Sequence, residues 1–285
     1  MRHSILWSVS MKGLLLSKDE LVKCENAIEE SIVRVVETSK LNGAIVALSG
    51  GIDSSLVATL ASRVVDVYGL LLPDPATSDP GDVQDAQDLA KGLGIDCELI
   101  EIGGIVEAVY AARPKLGPKK CKLAYANVKP RARMVMNYFA SNLDGRIVLG
   151  TGNKTELLMG YFTKYGDGGV DMLPIGDLYK TRVRQMARHV GVPEHIIKKP
   201  PSAGLWKGQT DEAEMGIDYE TLDKVLYGVF DLGLSCGEIQ EETGVGEATF
   251  TRIMERVRDN EHKRNMPPIV DIGAVLEAPK LKRAL

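Results

Sequence analysis

The sequence predicts an α/β fold, a doubly wound parallel sheet followed by C-terminal helices, and three observations predict it. Short apolar runs at 43–48, 66–72, 96–101 and 146–150 alternate with segments of helical length, the pattern of a parallel sheet covered on both faces. The first run ends in Ser49-Gly50-Gly51 and passes straight into an apolar helix. The last run ends in Leu149-Gly150-Thr151-Gly152-Asn153-Lys154-Thr155-Glu156, a second strand-to-glycine-to-helix junction. In open parallel sheets the ligand crevice lies beyond the carboxyl ends of the strands, where both junctions fall.

The elements follow in order. Ser17-Lys18-Asp19-Glu20 reads as a capping box that opens a helix to about Ser39, with Leu21, Ala27, Ile28, Ile32, Val35 and Val36 at helical spacing. Further helices are expected at 54–64, 82–93, 104–112, 122–142 and 179–190. The segments 160–178 and 199–216 are rich in glycine, proline and polar residues and are expected to be functional loops. A helical segment over about 217–265 closes the chain. Within it, Cys236 to Phe250 has the shape of a helix-turn-helix. Its acidic Glu238, Glu241, Glu242 and Glu247 would repel nucleic-acid phosphates, so the expectation is two packed helices. One domain spans 1–285, with the α/β core at about 17–200.

Composition narrows the function classes. The 285 residues are 44% hydrophobic and 26% charged, ordinary for a globular enzyme. A net charge of −4 argues against a nucleic-acid partner, and no apolar run approaches the ~20 residues of a membrane span. Cys24, Cys97, Cys121 and Cys236 show neither zinc nor disulfide spacing, which fits a reducing, cytoplasmic location. The N-terminus does not read as a signal peptide, and Met11 is a possible start.

The run Ala47-Leu48-Ser49-Gly50-Gly51-Ile52-Asp53-Ser54-Ser55 carries the chemistry. Adjacent glycines let the backbone approach a ligand. Two serine hydroxyls and the free N–H groups of a helix start complete an anion cradle. The string lacks the Gly-Lys-Ser/Thr of a Walker A loop. Asp53, a carboxylate beside phosphates, calls for a bridging cation such as Mg²⁺.

The whole string matches the pyrophosphate (PP) loop of the ATP pyrophosphatase superfamily. Further motifs follow in order: Asn127-Val128-Lys129-Pro130-Arg131-Ala132-Arg133-Met134, Gly150-Thr151 to Glu156, Gly160-Tyr161-Phe162-Thr163-Lys164-Tyr165-Gly166-Asp167-Gly168-Gly169-Val170-Asp171, Lys180-Thr181-Arg182, Pro201-Ser202-Ala203-Gly204-Leu205-Trp206 with Gln209-Thr210-Asp211-Glu212, and His262-Lys263-Arg264. Together they resemble the ammonia-dependent NAD synthetases over nearly the whole chain. The family differs in often having alanine where Pro130 stands, and in the central positions of 150–156.

The resemblance implies a Rossmann-like, adenine nucleotide alpha-hydrolase-like fold. It also implies ATP-dependent amidation of deamido-NAD with ammonia, through an acyl adenylate, to NAD, AMP and pyrophosphate. By position it implies ATP contacts from Ala47, Leu48, Ser49, Gly50, Gly51, Ile52, Asp53, Ser54, Ser55, Thr151, Lys180 and Ser202. Mg²⁺ would be held by Asp53 and Glu156, and deamido-NAD by Arg131, Lys164, Asp171, His262 and Lys263. Tyr161, Phe162 or Tyr165 could stack on the pyridinium ring or pack the loop, and Asp167 is placed to orient or deprotonate ammonium. Asp53, Asp167 and Lys180 form the expected catalytic set. No glutaminase domain is expected, so free ammonia is the donor, and a homodimer is expected with helix 122–142 as one possible face. Other ligases of the same superfamily and a nucleotide-binding regulator are the rival readings.

Overall fold

The computed structural model describes residues 11–272, apart from 115, 116, 118, 119, 203 and 207. The segment 1–10 upstream of Met11 and Ala203 of the Pro-Ser-Ala-Gly motif therefore lie outside the described residues.

Helix α1 (Lys18–Ser39) opens on the expected capping box, with Ser17 and Glu20 satisfying each other's backbone N–H groups. Strand β1 (Ala44–Ala47) feeds α2 (Ile52–Ser62), β2 (Val67–Leu71), α3 (Pro80–Leu93), β3 (Asp96–Leu99) and α4 (Gly103–Ala112). The four strands, completed by β4 (Ile147–Leu149), pair in the order β3-β2-β1-β4, all parallel. Alternation along β1 sends Ala44 and Val46 into a core with α1, α2 and α8 (Lys180–Val190). Ile45 points to the other face, with Leu70, Leu72, Ile102 and Val106. Strands β1, β2 and β4 are thus covered on both sides, as short apolar strands require, while the edge strand β3 is exposed along its length.

The helix expected over 122–142 divides into α5 (Lys122–Ala126) and α6 (Val128–Asp144). Pro130 is the physical reason: it has no N–H to donate to the carbonyl of Ala126, so one continuous helix would lose that bond. As the third residue of α6, Pro130 sits where an N–H has no intrahelical partner in any case. Helices α7 (Lys154–Met159) and α9 (Glu194–Ile197) are short, and α10 (Asp211–Met215) interrupts the expected loop 199–216. The C-terminal segment forms α11 (Tyr219–Phe230), α12 (Cys236–Thr243), α13 (Glu247–Asp259) and α14 (Glu261–Arg264). Tyr219, Leu222, Leu226, Ile239, Ile253 and Val257 join one further core with Met159 and Tyr179. Among the described residues no helix is long and apolar enough to cross a membrane.

Candidate active site

A cavity of about 760 Å³ opens beyond the carboxyl ends of β1, β2 and β4, a size that suits nucleotide-scale ligands. At one end the glycine–serine loop supplies Ala47, Leu48, Ser49, Gly51, Ile52, Asp53 and Ser54 to its wall. The N–H of Ser49 donates to Ser54 Oγ at 3.2 Å, and that of Gly51 to Ser49 Oγ at 3.3 Å. Two loop residues do not reach the cavity. Gly50 turns against α3 at φ +75°, where a Cβ would stand 2.1 Å from the carbonyl oxygen of Asp82. Ser55 is buried in α2, its Oγ donating to the carbonyl of Gly51 at 2.8 Å.

Lys180 is the centre of the charged site. It begins α8, is 1% exposed, and its Nζ donates to Asp53 Oδ2 and lies 3.5 Å from Glu156 Oε1. Burial pulls its pKa down, but the two carboxylates outweigh burial and raise it, so the ammonium persists. Glu156 feels the same burial without full compensation, and its carboxyl is pushed up. Glu156 is also the third residue of a capping box: Asn153 Oδ1 accepts from its N–H at 3.0 Å, while the N–H of Asn153 donates to Glu156 Oε2 at 3.2 Å. Asn153 Nδ2 then donates to Asp53 Oδ1 at 3.0 Å, tying the first turns of α2 and α7 together. The capping and charge-pairing roles are therefore combined in one arrangement. Thr151 and Ser202 also line the cavity.

The opposite end is the rim formed by 160–167 and by the stretch from Arg256 to Lys263. Arg131, Lys164, His262 and Lys263 all line the cavity, as do Tyr161, Phe162 and Asp167. The two lysines strap the segments reciprocally. Lys164 Nζ donates to the carbonyls of His262 and Asn265, and Lys263 Nζ to those of Gly160 and Phe162 at 2.7 and 3.1 Å. Arg264 caps the end of α7 through the carbonyls of Leu157 and Leu158. Asp167 accepts from the N–H of Thr163 at 2.9 Å, and burial raises its pKa. Tyr165 is 53% exposed and stays outside the wall.

Asp171 is not brought into this cavity. Its carboxylate accepts from the N–H of Val148 at 2.8 Å and from Tyr138 Oη at 2.9 Å. The outer edge of β4 is bridged only by the backbone of Asp171 and Met172, which leaves that N–H without a backbone acceptor, and the Asp171 carboxylate supplies one.

Several wall residues carried no assignment from the sequence. Lys199 Nζ lies 3.3 Å from the carbonyl of Gly50 and pairs with Asp82 and Asp85 of α3. Arg133 donates to the carbonyl of Leu72 at 2.9 Å. Gln209 Nε2 donates to Glu214 at 2.9 Å, and Tyr161 Oη to the same carboxylate at 2.7 Å. Asn153 had a readable signal, Asn-x-x-Glu before a helix; the others form only through tertiary contact.

The NAD synthase family model matches residues 24–267. The chain belongs to the NAD synthase family. It is 44% identical over 257 residues to an NH(3)-dependent NAD(+) synthetase of Methanococcoides burtonii, covering 88% of this chain and 95% of the relative. Among solved structures, the NMN synthetase of Francisella tularensis superposes with a TM-score of 0.78 at 32% identity, covering 88% and 98% of the two chains. The NH3-dependent NAD synthetase of Campylobacter jejuni superposes with a TM-score of 0.73 at 29% identity, covering 88% and 99%. Within the NAD synthase family, the parallel sheet with glycine loops at its carboxyl edge is the shared fold.

Proposed function

We propose that this chain makes NAD from deamido-NAD, ATP and ammonia, releasing AMP and pyrophosphate. One observation carries the reading beyond family membership. A single cavity joins the glycine–serine loop, with Lys180 between Asp53 and Glu156, to a cationic rim at its other end. An anionic dinucleotide and a triphosphate need cations at separate ends of one site.

The nicotinate carboxylate attacks the α-phosphorus of ATP, the bond to the bridging oxygen breaks, and pyrophosphate leaves. Ammonia then attacks the acyl carbon and AMP leaves. Ser49, Gly51 and Ser54 hold the departing pyrophosphate, and Thr151 and Ser202 contact the nucleotide. Lys180 offsets negative charge that builds at phosphorus, and such fixed charge supplies much of the acceleration. Arg131, Lys164 and Lys263 supply the field that attracts deamido-NAD, and His262 lines the cavity beside them. Asp167, its basicity raised by burial, orients ammonium and takes its proton.

Among the described residues no group of three or more His, Cys, Asp or Glu side chains forms a ready metal site. Asp53 and Glu156 nevertheless fit Mg²⁺: two carboxylates already converge on one cation, and phosphate oxygens complete the usual donor set. When bound, Mg²⁺ neutralises phosphate charge. The four free cysteines fit a reducing cytoplasm. A homodimer is supported by Val135, Phe139 and Leu143, 54%, 58% and 68% exposed on one stripe of α6.

The test is product analysis with ATP, Mg²⁺ and deamido-NAD, using ammonium or glutamine in parallel. Nicotinate mononucleotide is offered as a competing acceptor, because one structural relative is an NMN synthetase. NAD, AMP and pyrophosphate from ammonium is the expected result. Exclusive use of the mononucleotide overturns the substrate, and no AMP from any acceptor overturns the reaction.

A further inference from the structure

The cavity wall contains a polar group that the mechanism above leaves unused. Asn137 lies on α6, is 8% exposed and lines the cavity. Its Oδ1 is buried without a hydrogen-bond partner; among the described residues the only other such side-chain atom is Arg146 Nε, and Arg146 is not part of the wall. A buried acceptor left unsatisfied is destabilising, and native proteins pair most such groups. The α6 backbone gives no relief, since N–H groups in mid-helix already donate to carbonyls four residues back. A cavity wall tolerates an orphan acceptor when the ligand brings the donor.

The surroundings define the donor's carrier. Helix α6 packs on β1 and β4, so the wall beside it is built from the carboxyl ends of those strands. Leu48, Leu149 and Gly150 line the cavity there, with Met134 one turn back along α6. Gly150 packs so closely that a Cβ would meet Val170 at 2.6 Å and Leu173 at 2.8 Å. Such an apolar, close-packed wall suits a flat ring. The nicotinate ring carries no N–H, and the phosphates carry no donor. Adenine does, in its exocyclic amine, and an asparagine amide matches the paired donor and acceptor of that edge. Deamido-NAD carries the same base, but Leu48 belongs to the glycine–serine loop, at the end of the cavity away from the cationic rim, so the base beside this wall is that of ATP.

We infer that Asn137 selects the adenine base of ATP, its Oδ1 accepting from the exocyclic amine. The inference rests on the ATP-site reading above. It makes Asn137 a specificity residue that touches substrate away from the reacting phosphorus.

The experiment compares ATP with purine riboside triphosphate, which lacks only the amine, on the intact protein and on Asn137→Leu, by kcat/KM and by calorimetric binding of each nucleotide. The wild type is expected to prefer ATP about tenfold, the size of one buried hydrogen bond of ~1.4 kcal/mol. In Asn137→Leu the ATP value is expected to fall to that of the analogue, with the analogue unchanged. Equal use of both nucleotides by the wild type overturns the inference without any variant, so a poorly folding variant does not shelter it. Retained preference in Asn137→Leu, or a rise confined to the KM of deamido-NAD, also overturns it. Failure of the wild type to bind ATP at all is a different outcome and overturns the ATP-site reading itself.

Discussion

Asp223 accepts from both donors of Thr181, the backbone N–H at 2.7 Å and the hydroxyl at 2.6 Å. Its second oxygen accepts from Thr155 Oγ1 at 2.5 Å, and Thr155 Oγ1 in turn accepts from the N–H of Lys180 at 3.0 Å. One fully buried carboxylate on α11 therefore fixes the starts of α7 and α8, which carry Glu156 and Lys180. Helix α11 thereby holds the charges of Glu156 and Lys180 in register from behind.

Asp223→Ala should leave three buried donors without an acceptor. We expect a loss of about 3 kcal/mol in stability and a lowered kcat with nucleotide KM nearly unchanged. Thermal unfolding and steady-state kinetics check both. A stable variant with normal kcat would remove Asp223 from the positioning of Lys180.

Lys180→Met should remove the cation between Asp53 and Glu156 while keeping the side chain's length. We expect a fall of roughly 10²–10³ in kcat, the usual size for losing one group that stabilises transition-state charge. Pyrophosphate release measured in the first turnover checks this, because adenylation is the step affected.

Gly50→Ala tests the loop backbone. Gly50 sits at φ +75° with the Asp82 carbonyl where a Cβ would be. Strain of about 1–3 kcal/mol is expected from the conformation, with a further penalty from the clash. The melting temperature and ATP affinity should fall together, since Lys199 joins Gly50 to α3.

Lys129→Met tests a buried pair between α6 and the loop after β2. Lys129 Nζ is 2.8 Å from Asp74 Oδ2, 2.9 Å from Thr77 Oγ1 and 3.0 Å from the carbonyl of Leu205. Burial alone would raise the Asp74 pKa, but hydrogen bonds from Lys129, Ala76 and Thr77 prevail and hold it below the usual carboxylate range. A depressed carboxyl stabilises the fold above its unfolded pKa, near 4, and that stability is lost as pH falls through the folded value. Near pH 7 the variant should be about 3 kcal/mol less stable. The gap from wild type should narrow below pH 4 as Asp74 protonates. Denaturant unfolding across pH 3–7 measures it; a gap independent of pH would show that the charge pair is not its source.

Phe139→Glu places a charge in the exposed apolar stripe of α6. We expect the dimer to dissociate, or its Kd to rise at least tenfold, in analytical ultracentrifugation, with the monomer's helical content unchanged. A mass unaffected by the substitution would move the interface elsewhere.

Much of the fold was legible because it rests on local chemistry. Period, caps and glycines are written in neighbouring residues, so the alternation of strands and helices along the chain, the Ser17–Glu20 box and the loop after β1 could be read directly. The glycine–serine end of the cavity was legible for the same reason: Ser49, Gly51, Asp53 and Ser54 are consecutive or nearly so, and all four line it beside the start of α2. The break before α6 was also written locally, in Pro130, although its effect falls four residues earlier at Ala126.

Tertiary structure alone decided which side chains meet. Asp53 and Lys180 are 127 residues apart, and Thr181 and Asp223 are 42 apart; no spacing rule connects them. Asp171 was turned to the sheet edge because β4 has no further strand to satisfy Val148. Asn137 was left as an unpaired acceptor in the cavity wall because packing of α6 on β1 and β4 put it there. Hydrogen-bond demand and burial are properties of the assembled chain: the sequence determined which groups were available and the folded packing determined which of them needed a partner.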